Sequence, residues 1–115
     1  MAAEKNFENR VKKFLKEQNC WFLKTWGGGM QRSGIPDLLV CCNGRFVGVE
    51  LKAPKGTPSE LQMWNVMKID DSAGFGWVLW PDGFEDFKQF IIYLNQNRLV
   101  DACKIYIEKK GWKEE

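Results

Sequence analysis

The dipeptide Asn43-Gly44 sits between two apolar runs and constrains this chain more than any other feature. A two-residue type I′ turn needs φ > 0 at both central positions, and Asn-Gly meets that need best. With those residues as the turn, residues 37–42 and 45–52 form an antiparallel hairpin, and its register follows. Cys42 faces Arg45, Cys41 faces Phe46, Val40 faces Val47, Leu39 faces Gly48 and Leu38 faces Val49. The next pair is Asp37 and Glu50, two carboxylates directly opposite on one face, with Cβ atoms about 5 Å apart. Lys52 lies two residues beyond Glu50 and shares its face, while Leu51 points the other way.

Like charges directly opposite destabilise a sheet. A divalent cation between the carboxylates removes the conflict, and Mg²⁺ is typically held by one or two carboxylates together with phosphate oxygens and water. An ammonium beside such an ion suits a developing phosphoryl charge or an attacking water. Asp37, Glu50 and Lys52 together therefore suggest metal-assisted phosphodiester hydrolysis. The plainer reading makes Asp37 and Glu50 exposed strand-end acids with Lys52 as their salt-bridge partner. Glu-x-Lys alone is a weak signal. A Pro-Asp strand start, the Asn-Gly turn and the resulting register converge on one point, and that convergence carries the catalytic reading.

The same residues resemble a known family. Pro36-Asp37, followed after a hairpin by Glu50-Leu51-Lys52, is similar to the PD-(D/E)XK nuclease signature. The wider run Gly34-Ile-Pro-Asp-Leu-Leu, then Gly44-Arg-Phe-Val-Gly-Val-Glu-Leu-Lys-Ala-Pro-Lys-Gly, then Ser59-x-x-Gln62, resembles the VRR-NUC branch (virus-type replication-repair nuclease) in its stand-alone phage or bacterial form. With Glu8 on the first helix, the resemblance covers residues 4–80. It implies a restriction-endonuclease-like core and a Mg²⁺ or Mn²⁺ ion held by Asp37 and Glu50. Glu8 and the Leu51 carbonyl are its implied further ligands. Lys52 is implied to activate the attacking water or steady transition-state charge, with Gln62 near the metal or its water.

The 115 residues are read as one domain, 1–115. No run of about 20 apolar residues implies a membrane span. The first residues lack an apolar signal-peptide core, which points to the cytoplasm, of a bacterium or a phage-infected cell on the resemblance. Histidine is absent. That removes Ser-His and Cys-His triads and histidine bases, and narrows the chemistry to carboxylates, lysine and metal. The four cysteines form no Cys-x-x-Cys pair, so a structural zinc site is not expected, and reduced, buried thiols are. Net charge is only +2, but residues 1–56 hold ten Lys/Arg against five acids, and residues 57–115 hold seven against ten. The basic half carries the proposed site, as a phosphate-backbone partner requires; a solvated helix face accounts for part of it.

Residues 4–19 have helical periodicity, with Phe7, Val11, Phe14 and Leu15 inward. Glu8 lies at the edge of that stripe, and on pattern alone Glu4 has nearly as good a claim to reach the site. Residues 20–26 read as a strand ending near Lys24. The glycine-rich loop 27–34 follows, carrying Arg32. It is either a connector or a close approach to a phosphate, with Lys24 and Arg32 as nucleic-acid contacts; Trp26 beside it can stack on a base. It lacks the Gly-Lys-Ser/Thr ending of a P-loop. Lys55 is either a further phosphate contact or a plain surface lysine.

Thr57-Pro58-Ser59-Glu60 reads as a helix start with Thr57 as N-cap and Glu60 at N3, continuing to about residue 72 with Leu61, Trp64 and Met67 inward and Gly74 closing it. Residues 75–80 read as a strand. Phe84, Phe87, Phe90, Ile91 and Leu94 then mark a helix whose stripe is core or a dimer surface. Residues 104–108 read as an edge strand. Trp21, Trp64 and Trp77 are expected in the core.

The expected fold is α/β, in the order α-β-β-β-α-β-α with a possible extra C-terminal strand. Both faces of the hairpin are apolar, so helices are expected on both sides of a mixed sheet. The expected function is a Mg²⁺- or Mn²⁺-dependent DNA endonuclease. The resemblance implies branched DNA such as four-way junctions, which fits a homodimer with two symmetric sites. The alternatives are a nuclease of the same core acting on linear or nicked duplex, and a non-catalytic nucleic-acid-binding module.

Overall fold

The computed structural model describes residues 2–26 and 33–114. Helix α1 (Ala2–Glu17) buries Phe7, Val11, Phe14 and Leu15, the whole apolar stripe of its sequence. Strands β1 (Trp21–Lys24), β2 (Leu38–Cys42), β3 (Arg45–Leu51) and β4 (Phe75–Leu79) form one sheet in the order β1-β2-β3-β4. The β2–β3 hairpin has the register set by the Asn-Gly turn, with Leu38 opposite Val49 and Cys42 opposite Arg45. Asn43 and Gly44 both take positive φ, 50° and 82°, as a type I′ turn requires. Strand β4 pairs parallel to β3. Helix α2 (Glu60–Asp71) makes the crossover between them, so the sheet is mixed. A short 3-10 turn (Pro81–Gly83) leads into α3 (Phe84–Asn95), and α4 (Leu99–Lys109) follows.

Helices α1, α3 and α4 cover one face of the sheet. Leu38, Val40, Cys42, Val47, Val49, Leu51 and Trp77 point into that layer with Phe84, Phe87, Phe90 and Tyr106. The rings meet edge-on, as for Trp77 and Phe87 at 5.2 Å and 89°, the arrangement the ring quadrupoles favour. Helix α2 covers the β3–β4 half of the other face, setting Val66 against Val78 and Trp112. It approaches very closely at Gly76, where a Cβ would lie 2.2 Å from the Val66 carbonyl oxygen.

Several expectations change. Residues 104–108 are helix, not an edge strand: Ala102 and Tyr106, four apart, are buried while Ile107 is 69% exposed. The helix expected from Thr57 starts later. Ser59 is its N-cap and Gln62 closes the capping box, while Ala73, not Gly74, takes the left-handed conformation after it, at φ 71°. Its buried residues are Asn65 and Val66, whereas Leu61 and Trp64 are about half exposed. Among the described residues no helix covers the β1–β2 half of the second face, where Trp21, Leu23 and Cys41 are exposed, as is Phe46 on the adjoining β3. Of the tryptophans expected in the core only Trp77 is buried, joined by Trp112. The stripe of α3 is wholly spent on this chain's own core, so it is no dimer surface. Among the described residues, no helix is long and apolar enough to cross a membrane.

Candidate active site

Asp37 stands at the entrance to β2, and Glu50 is the next-to-last residue of β3. The two strand ends are tied by a side chain. The Leu51 N–H donates to Asp37 Oδ2 at 2.8 Å, extending the hairpin ladder by one bond. The other end of the Pro36-Asp37 step is clamped by Thr25, whose hydroxyl donates to the Pro36 carbonyl and whose N–H donates to that of Asp37. Gly34 permits the approach to this step. Its φ is +78°, and a Cβ there would lie 2.6 Å from Leu61 Cγ of α2.

Glu50 is a charged group taken out of water. It is 2% exposed, and its Oε1 has no hydrogen-bond partner. Burial, reinforced by the Asp37 carboxylate beside it and only partly opposed by Lys52, pushes its pKa up to about 8. A buried carboxylate facing a second carboxylate is costly unless a cation joins them. The orphaned oxygen and the neighbouring acid are oxygen donors of the kind hard divalent ions take. The residues fit a Mg²⁺- or Mn²⁺-type ion.

Lys52 sits on the same face as Glu50, with Leu51 buried on the other. Its Nζ is 3.3 Å from Glu50 Oε2 and donates to Gln62 Oε1 at 3.0 Å. That same Gln62 oxygen accepts from the Ser59 N–H at 2.8 Å, so the capping box of α2 aims it at Lys52. Gln62 thus lies beside Lys52 at the Glu50 carboxylate, and its carbonyl oxygen serves both the helix cap and the lysine.

Glu8 is 6% exposed on α1 and is ringed by ammonium groups. Lys24 lies 3.0 Å from Oε1, and Lys12 and Lys5 lie 3.2 and 3.5 Å from Oε2. Burial alone would raise its pKa, but Lys24 and Lys12 override burial and hold it below the usual value. Lys24 also lies 3.6 Å from Asp37 Oδ1. It pairs with Leu38 and so leaves β1 on the α1 face, whereas Glu50 and Lys52 point to the α2 face. Glu8 therefore meets Asp37 through Lys24. Among the described residues, no three acidic or thiol side chains are grouped closely enough to hold an ion by themselves. The sequence offers Lys24 as a nucleic-acid contact. Its pairing with Glu8 joins a strand end to a helix, and no local pattern signals that. Glu4 is partly exposed. Lys55 is exposed on the turn after β3, and Arg32 lies outside the described residues.

No family model matches the chain, and no curated protein matches it. A solved structure described as a VRR_NUC domain is similar to it, with 28% identity over 62% of this chain and 81% of that one and a TM-score of 0.48.

Proposed function

We propose that this chain is a divalent-metal-dependent endonuclease that hydrolyses DNA phosphodiester bonds, acting on branched DNA such as four-way junctions as a homodimer. One observation carries the reading. Glu50 is a buried carboxylate with an orphaned oxygen, set against Asp37 and next to Lys52. A stable fold gains nothing from that arrangement without a cation, and nuclease chemistry uses it. Asp37, Glu50 and the Leu51 carbonyl would hold the ion. When bound, it would polarise an attacking water and neutralise charge on the phosphoryl oxygens.

The side chains do the rest. Lys52, fixed between Glu50 and Gln62, presents an N–H to the attacking water or to the charge that develops on the phosphoryl oxygens. Gln62 acts through Lys52 by holding its ammonium in place. Glu8 acts through Lys24. Lys55, just beyond β3, contacts the phosphate backbone. No residue need form a covalent bond to DNA.

The test is cleavage of a labelled four-way junction, beside a linear duplex of the same sequence, with Mg²⁺, Mn²⁺ or EDTA. Metal-dependent, symmetric cuts in the junction alone, abolished in Glu50→Gln, are expected, together with a dimeric mass in sedimentation. Cutting of both DNAs would keep the nuclease and discard the preference for branches. A folded protein that binds DNA but cuts neither with any metal would overturn the enzymatic reading.

A further inference from the structure

Lys24 puts a positive charge against Asp37. Its Nζ bridges Glu8 Oε1 at 3.0 Å and Asp37 Oδ1 at 3.6 Å. Asp37 Oδ2 already accepts the Leu51 N–H, so Oδ1 is the freer of its two oxygens for an ion once Lys24 has left it. An ammonium at that oxygen and a divalent cation on the same carboxylate repel each other. The two contacts of Lys24 are unequal: the one to Glu8 is shorter by 0.6 Å. Its side chain keeps 21% of its surface in solvent, and its Nζ lies 6.0 Å from the centre of the exposed Trp26 ring. It can therefore leave Asp37 without losing every partner.

We propose that Lys24 and the divalent ion compete for Asp37 Oδ1, and that Glu8 is the holder that draws Lys24 away when the ion binds. In this arrangement Glu8 is a positioning residue and not a ligand. Lys24 sets how tightly the site takes metal, and keeps Asp37 and Glu8 from facing each other as bare charges. Lys12 and Lys5 leave Glu8 compensated whichever way Lys24 turns. The inference rests on the metal reading given under the proposed function, and goes beyond it in assigning Lys24 and Glu8 opposed effects on affinity.

Mn²⁺ titration, followed by the free-ion paramagnetic signal or by calorimetry without DNA, tests it on the full chain. Lys24→Met is expected to tighten Mn²⁺ binding at least about fivefold. Lys24→Gln, which keeps a polar tip for Glu8, should do the same and serves if the methionine variant does not fold. Glu8→Gln in the native background should weaken binding, because Lys24 then has Asp37 as its nearest acid. In the Lys24→Met background Glu8→Gln should change nothing. Unchanged or weaker binding in both Lys24 variants overturns the proposal. So does an equal loss on Glu8→Gln in both backgrounds, which would make Glu8 a ligand. If native protein and Glu50→Gln take up Mn²⁺ alike, the metal reading itself fails, and that outcome differs from either of the others.

Discussion

At the scale of single residues, Glu50 carries a conflict between burial and charge. The folded chain holds its proton far more tightly than an unfolded chain does, with the pKa raised from 4.5 to about 8. The sign follows. This group's contribution to stability is present in full below pH 4.5 and is lost as pH climbs towards 8. At about 1.4 kcal/mol per unit, the loss is on the order of a few kcal/mol. In EDTA, the native chain should therefore melt at steadily lower temperature from pH 5 to pH 8. Glu50→Gln should flatten that profile and melt several degrees higher at pH 8, with the two converging near pH 4.5. Calorimetric scans across that range check it, and parallel profiles for the two proteins would refute the burial argument. The pairing of Asp37 with Glu50 was legible from sequence because one turn fixes the register of a whole hairpin. The choice of Glu8 over Glu4 was not, since it depends on how α1 is rotated against the end of β1.

At the scale of elements, α2 shows how one local motif can serve the fold and the site. Its Ser59–Gln62 capping box satisfies helix N–H groups, and the same Gln62 oxygen takes the Lys52 hydrogen bond. Two substitutions separate these jobs. Ser59→Ala removes the side-chain cap and should cost about 1 kcal/mol of stability, with kcat within about twofold of native. Gln62→Ala should cost a similar stability and also lower kcat by about tenfold or more, because Lys52 loses the group that aims it. Gln62→Glu, which keeps an acceptor for both, should recover most of that loss. Equal kcat in Ser59→Ala and Gln62→Ala would reduce Gln62 to a helix cap. The cap was misplaced from sequence because Thr57-Pro58 offers an equally good start two residues earlier. Apolar residues lie all around α2, so periodicity alone could not choose Val66 over Trp64 as its inward side. In α4 the alternation Ile105-Tyr106-Ile107 imitates a strand. Burial of Ala102 and Tyr106 against α3 and the sheet decided for helix, and that packing is long-range.

At the scale of the whole molecule, charge is divided along the chain in a way that matches the division of labour. Residues 1–56 carry α1, the hairpin and both lysines at the carboxylates, with ten Lys/Arg against five acids; residues 57–115 carry most of the packing helices, with seven against ten. Several cations of the first half are already consumed inside it: Lys5, Lys12 and Lys24 by Glu8, and Lys52 by Glu50. The field left for a phosphate backbone is therefore smaller than the sequence count suggests, and exposed lysines next to the site matter most. Lys55, exposed on the turn that follows β3, is the lysine proposed for that contact; Lys104, exposed on α4, is a matched control from the acidic half. Measured on four-way-junction DNA with the Glu50→Gln background to prevent cleavage, log Kd should vary linearly with log salt. Lys55→Ala should lower that slope by about 1 and weaken binding without regard to sequence. Lys104→Ala should leave slope and affinity as they were. A slope that responds equally to both changes would mean that DNA is held by diffuse surface charge, and would detach Lys55 from the face on which Asp37, Glu50 and Lys52 meet.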